Sequence, residues 1–512
     1  MPISHRLPKV LLRALLSLSA IFALSISLLL TACGGSASGA PNASGAAQGK
    51  WTWMGGSTTP NAQGTYGTQN TPSTTNMPGA RNFAVSWTDH SGNFWLFGGE
   101  GMDSTGAVGS LNDLWEFNPT ENTWMWVGGS STANAVGVYG TLGAPSVKNI
   151  PGARDSAVSW TDHNGNFWLF GGEGMDSTGA GGDLNDLWEF NPTTKAWMWV
   201  GGSSVAANAT AVYGTLGSAS PNNVPGGRMG SVSWTDSSGN FWLFGGSGSS
   251  GSSGGSGGLG GIGIVGLGGS GGLGGMLGSL NDLWEFSPAT KEWMWVSGSS
   301  TAANVPGVYG TLGSASPSNV PGSRIYSIGW ADSSGNLWLF GGSVGLGGGL
   351  GMPSDLNDLW EFTPATKEWT WISGSSTPGA TGIYGTEGVP DASNAPGARQ
   401  QSASWTDSSG NLWLFGGSGG LLNAQGNLNL IPIPNDLWKF DPTTKEWTWM
   451  SGANAVDMNT GSGLVSVYGT MGVAAATNIP GARSGSVSWI DSSGNFWLFS
   501  GGGFDDLWRY QP

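Results

Sequence analysis

FAVSWTD at residues 83–89, NFWLFGG at 93–99, NDLWEF at 112–117 and WMWV at 124–127 space five tryptophans through one stretch: Trp87, Trp95, Trp115, Trp124 and Trp126. The same spacing returns from Trp160 to Trp199, Trp234 to Trp295, Trp330 to Trp371 and Trp405 to Trp449. A last copy holds only Trp489, Trp497 and Trp508, and the pair it lacks stands at the other end of the chain as Trp51 and Trp53. All 30 tryptophans fit six equal units only if the N-terminal segment completes the C-terminal one. That arithmetic predicts a closed array of one repeated unit, which grows by stacking copies rather than by adding separate cores.

Within a unit, strand-like runs alternate with turn chemistry. In the first, Phe83–Asp89 reads as strand a, His90-Ser91-Gly92-Asn93 as a turn, and Phe94–Phe97 as strand b. Asn112–Phe117 follows as strand c and Trp124–Val127 as strand d. Strand b is bulky on both faces, with Phe94 and Leu96 opposite Trp95 and Phe97, so its sheet must be covered on both sides. Blades packed face to face around an axis meet that demand. Glycine takes 93 of 512 positions and charged residues only 10%, as suits many strands joined by tight turns and not a charge-rich disordered chain.

PGAR at 78–81, FGG at 97–99 and NDLWEFNPTTKAW at 185–197 resemble the repeat of Kelch-type β-propellers, over Trp51 to Pro512. The resemblance implies an all-β, six-bladed propeller of four-stranded antiparallel blades, closed by the N-terminal strand. Strand c departs in carrying Phe117, Phe190, Phe286, Phe362 and Phe440, with Tyr510 last, and the sixth copy reads FSGG at 499–502. The units are also long: Trp124 to Trp197 is 73 residues, against roughly 50 for the ordinary repeat. The excess lies between strands d and a.

Residues 1–32 have the layout of a secretory signal, with Arg6, Lys9 and Arg13 ahead of an apolar run from Ala14 to Leu30. Leu30-Thr31-Ala32-Cys33 resembles the lipobox of bacterial lipoproteins, which implies cleavage before the single cysteine and lipid on Cys33. Gly34 after the cysteine implies the outer membrane in a Gram-negative source. Residues 33–50 then read as the lipidated Cys and a flexible tether, and 51–512 as the propeller, with a Gly/Ser-rich insert at 247–279. With the only Cys on lipid, no disulfide is available. Removing Arg6, Lys9 and Arg13 takes the net charge from −15 to −18, a balance that repels phosphate backbones and excludes nucleic acid as a partner.

Candidate site residues fall in two groups. Those repeated in every unit are expected to serve the fold. Arg81, Arg154, Arg228, Arg324, Arg399 and Arg483 open strand a and are expected to ring the channel mouth or pair with a neighbouring blade. Asp113 and its five counterparts in NDLW, like Asp89 and its counterparts before the hairpin, are expected to form turns. Tyr66, Tyr139, Tyr213, Tyr309, Tyr384 and Tyr468 are candidates for a ligand face or for packing each d-to-a loop on its blade. A selective site must break the symmetry, and the b-to-c loops do: Glu100, Asp103, Glu173 and Asp176 are the candidate ligand-face carboxylates, on the rim that the d-to-a loops share. His90 and His163 lie in hairpin turns, so no metal and no cofactor is expected, and the copper site of the Kelch-fold galactose oxidase cannot be assembled. The expected role is a monomeric, non-catalytic binding or scaffold module for a protein or glycan ligand. The alternative is a carbohydrate-active envelope enzyme working through loop-face carboxylates.

Overall fold

Bulk on alternate faces and paired glycines after each strand b produce an all-β fold. The computed structural model describes residues 49–205, 209–248, 278–344, 354–422, 428–431, 435–455, 463 and 465–512, and no helix occurs among them. The expected signal segment, Cys33, the tether up to Gln48 and most of the 247–279 insert lie outside the described residues.

Among the described residues six sheets have four antiparallel strands, three have three and one has two. Each four-stranded sheet is one repeat unit: in the first, Val85–Thr88, Phe94–Phe97, Leu114–Asn118 and Thr123–Gly128 lie side by side in that order. Register aligns tryptophans across the sheet, with Trp87 opposite Trp95 and Trp115 opposite Trp126. In the last unit the outermost strand is the N-terminal Lys50–Gly55, which pairs antiparallel with Phe504–Gln511 and sets Trp53 opposite Trp508. The first strands of successive units touch in a closed cycle, the last returning to the first. This architecture fits a β-propeller.

The hydrophobic core lies between the sheets. Trp87, Trp95, Phe97 and Leu114 of the first unit pack on Phe167, Leu169, Trp188 and Phe190 of the second. Trp87 stacks on Phe167 at 5.2 Å and donates its indole N–H to the Trp168 carbonyl at 3.2 Å. Five further clusters repeat this, and one of them joins the first unit to the last. Strand b is therefore covered on both faces, as its composition requires.

The long d-to-a connections explain the extended spacing. Each folds back along its unit's outermost strand as a strap: Ser73 bridges Trp124, Ser146 bridges Trp197 and Ala475 bridges Trp51. A repeated asparagine fastens it, Asn76 donating to the Trp124 carbonyl at 3.1 Å and Asn478 to that of Trp51 at 3.2 Å. The strap covers backbone groups that an edge strand would otherwise present to another chain.

One expectation about local structure is corrected. Strand a begins at Val85, not Phe83, because Phe83 has φ of 59°, a left-handed conformation that no strand admits. Within the first b-to-c loop Glu100–Met102 and Val108–Ser110 form a hairpin, and Arg81–Asn82 adds a third strand.

Candidate functional site

In the first unit, Arg81 makes a two-pronged ion pair with Asp113, both contacts at 2.8 Å and both side chains at most 1% exposed. The same carboxylate accepts from the Tyr66 hydroxyl at 2.6 Å and the Trp115 indole at 2.7 Å. Arg81 also donates to the carbonyls of Gly79 and Gly98. This Arg–Asp–Tyr–Trp quartet recurs in all six units, at Arg154, Arg228, Arg324, Arg399 and Arg483 with their NDLW aspartates. Tyr139, Tyr213, Tyr309, Tyr384 and Tyr468 donate to those same aspartates. Burial and the adjacent carboxylate raise each of these tyrosines.

Three expectations change accordingly. The arginines do not line an open mouth, and their carboxylate partner belongs to their own unit, not to a neighbour. The NDLW aspartates are ion-pair partners rather than turn-formers. The tyrosine hydroxyls are spent inside the quartets, which hold the straps down. The other repeated aspartates do form turns: Asp89 accepts from the backbone N–H groups of Ser91 and Asn93 at 2.8 and 2.9 Å, and from the Trp95 indole at 3.0 Å.

Two residues after each arginine, the backbone turns left-handed and the units interlock. Phe83 donates its N–H to Gly485, Gly485 to Gln401, Gln401 to Tyr326, Tyr326 to Gly230, Gly230 to Ser156, and Ser156 back to Phe83. The circuit contains six bonds between 2.7 and 3.0 Å, each from one unit to the next. Its two aromatic members meet across the ring, Phe83 stacking on Tyr326 with centroids 5.4 Å apart. Glycine makes room for each: a Cβ on Gly485 would stand 2.7 Å from the Phe83 ring, and one on Gly230 would stand 3.0 Å from Tyr326. The axis is thus filled at this level by one stacked pair.

Around that plug the symmetry breaks. Asp155, Glu173 and Asp183 stand directly opposite one another on three neighbouring strands of the second unit. Glu100 of the first unit and Glu173 both act electrostatically on Asp155. The Ser156 hydroxyl reaches Asp155 at 2.8 Å and the Tyr326 hydroxyl at 3.1 Å, and the Ser110 hydroxyl reaches Asp155 at 3.5 Å. With its own proton given to Asp155, Ser156 accepts from Tyr326, which makes a directed chain from plug to carboxylate. Burial, with Glu173 and Glu100 adding to it, pushes Asp155 up to about 7. Burial, with Glu173 and Asp155, pushes Asp183 up to about 8 against the opposing pull of Arg228. Burial and Glu173 raise Glu100 as well.

Of the four carboxylates expected at a ligand face, Glu100 and Glu173 therefore join the mouth, whereas Asp103 and Asp176 do not. Asp103 accepts from Thr105 and Ala107 with one oxygen and from the Ala133 N–H with the other, and Asp176 holds Thr178 and Ala180 in the same way. Both are turn-formers, held below the usual carboxylate range by these bonds despite burial, which acts the other way. Sequence reasoning missed Asp155 and Asp183. A column-wise reading would have flagged Asp155, whose place is taken by Asn82, Met229, Ile325, Gln400 and Ser484 in the other units. His90 and His163 are exposed at hairpin turns, packed beside Gly165 and Gly239 of the following units. Among the described residues no group of three or more His, Cys, Asp or Glu is placed to hold a metal ion.

No protein-family model matches the chain, and no curated protein matches it. Among solved structures similar to the chain is "Structure of YjhT", over 84% of this chain and 94% of its own, at 14% identity and a TM-score of 0.47.

Proposed function

We propose that the chain is an exported, lipid-anchored, six-bladed Kelch-type propeller that binds a protein or glycan ligand without transforming it. Cys33 carries the lipid, the bacterial envelope is the location, the outer membrane in a Gram-negative source, and the propeller works as a monomer. The small sheets on the loop rim are read as extensions of the six blades. The observation that carries the binding role is the division of labour among residues: those repeated six times are consumed within the fold, while the asymmetric ones gather at one mouth above a filled axis. A ligand would rest on that mouth and not pass through it.

Glycan and peptide arrays probed with the full chain test this reading. Binding should appear for one ligand class and weaken at least about tenfold when Glu100, Glu173 and Asp183 are neutralised together, which corresponds to about 1.4 kcal/mol. Binding that survives the triple substitution would refute the site assignment.

A second reading is favoured by one observation. Asp155 and Asp183 titrate at about 7 and about 8, the range in which a carboxyl group serves as acid or base at neutral pH. Ligands found on the arrays should emerge chemically unchanged after prolonged incubation. Conversion that disappears in Asp155→Asn would establish the enzyme instead.

A further inference from the structure

We propose that the outer edge of the last unit, where residues 465–482 strap the N-terminal strand, is the surface by which the protein lies against an anionic lipid bilayer. This rests on the anchoring of Cys33 proposed above, and three separate observations converge on it.

The first is where the anchor enters. Cys33 is joined to the folded part only through Lys50, the first residue of the outermost strand of the last unit. Even fully extended, the intervening chain spans no more than about 60 Å, so lipid on Cys33 keeps this edge within that distance of the membrane.

The second is the surface presented there. The strap runs along that strand, Gly472 donating to the Trp53 carbonyl at 2.8 Å and Asn478 to that of Trp51 at 3.2 Å. No charged residue occurs from 465 to 482. Val465, Val467, Met471 and Val473 are 59, 44, 58 and 52% exposed. The second strap exposes as many large apolar side chains but carries Lys148, and the fifth carries Glu387 and Asp391; the third and fourth are uncharged as well but expose fewer, Val205, Val212 and Leu216 in one and Val308 and Leu312 in the other. Uncharged apolar groups of this kind enter the boundary between headgroups and acyl chains at no desolvation cost.

The third is charge. At one position of strand c the first four units carry Glu116, Glu189, Glu285 and Glu361, whereas the last two carry Lys439 and Arg509. Arg509 lies opposite Thr52, and Lys50 is two residues away on the same strand. A protein of net charge −15 is repelled by an anionic surface over most of its area. Lys50 is the one charged residue of the outermost strand Lys50–Gly55 and of residues 465–482, and basic residues near such a surface are attracted to it.

The test uses the full chain isolated from the membrane fraction of a host that processes lipoproteins. It is reconstituted on vesicles of phosphatidylethanolamine with about a quarter phosphatidylglycerol. Flotation reports on the anchor, and amide hydrogen exchange reports on the surface. The wild type should float, and a Cys33→Ser chain produced without residues 1–32, so that no apolar leader substitutes for the lipid, should not. In the floated protein, exchange across 465–477 should slow at least about tenfold relative to soluble Cys33→Ser, while 136–148 in the second strap stays unchanged. Met471→Asp with Val473→Asp should still float but lose the slowing. Flotation with unchanged exchange at 465–477, or equal slowing at both straps, overturns the proposal and leaves the anchor standing. Slowing in concentrated Cys33→Ser without vesicles also overturns it, since a second copy would then be the cover. A wild type that does not float removes the anchor, and this proposal with it.

Discussion

Asp186 accepts from three side chains at once, Arg154, Tyr139 and Trp188, with no exposure to water. Removing one partner of a buried ion pair leaves the other charge without compensation, which costs about 3 to 5 kcal/mol. Removing a single neutral donor costs about 1 kcal/mol, because the remaining donors still satisfy the carboxylate. Asp186→Ala should therefore destabilise far more than Tyr139→Phe when both are measured by urea unfolding. Equal losses would mean that the strap contact, not the ion pair, dominates the quartet. The same logic separates the two kinds of aspartate. Asp89 binds N–H groups of its own turn and the Trp95 indole and faces no cation, whereas Asp186 neutralises a buried arginine.

At the scale of elements, the strand Lys50–Gly55 bears the closure. Trp51 is 2% exposed and packs against Trp405, Phe415 and Tyr510 at centroid distances from 5.0 to 6.5 Å. Without this strand Phe504–Gln511 would become an open edge, and the buried tryptophan would forfeit about 2 to 3 kcal/mol. Deleting residues 50–57 should lower the melting temperature sharply, and an unchanged melting curve would contradict this role. Asn478→Ala should release the strap from Trp51 and cost about 1 kcal/mol, with faster amide exchange confined to that strap. A second set of links joins neighbouring units on the opposite rim. Glu116, Glu189, Glu285 and Glu361 each feel a lysine of the following unit: Lys195, Lys291, Lys367 and Lys445. The series stops at Lys439 and Arg509, next to the closure.

For the molecule as a whole, the acidic mouth couples stability to pH. Asp155 and Asp183 titrate at about 7 and about 8 when folded and near 4 when unfolded. Between those limits the folded state holds more protons than the unfolded one, so stability falls as pH rises through about 4 to 8. Melting temperatures measured from pH 5 to pH 8.5 should decline over this range. Asp155→Asn with Asp183→Asn should flatten the decline, because the group that must ionise is gone. A slope unaffected by the double substitution would place its origin elsewhere.

The sequence alone determined the repeat, its six copies, the partnership of Trp51 and Trp53 with the last unit, and that Glu100 and Glu173 break the symmetry in the b-to-c loops. These were legible because tryptophan spacing and period-2 bulk are written locally along the chain. Tertiary structure alone decided that Phe83 and Tyr326 meet across the ring, that six left-handed residues interlock through their backbone, and that the repeated tyrosines are spent inside the fold. It also brought Asp155 and Asp183 to Glu173 and separated Asp103 and Asp176 from them. Such relations depend on contacts between residues tens to hundreds of positions apart. No local pattern records them, because the interaction exists only once the ring has brought the units face to face.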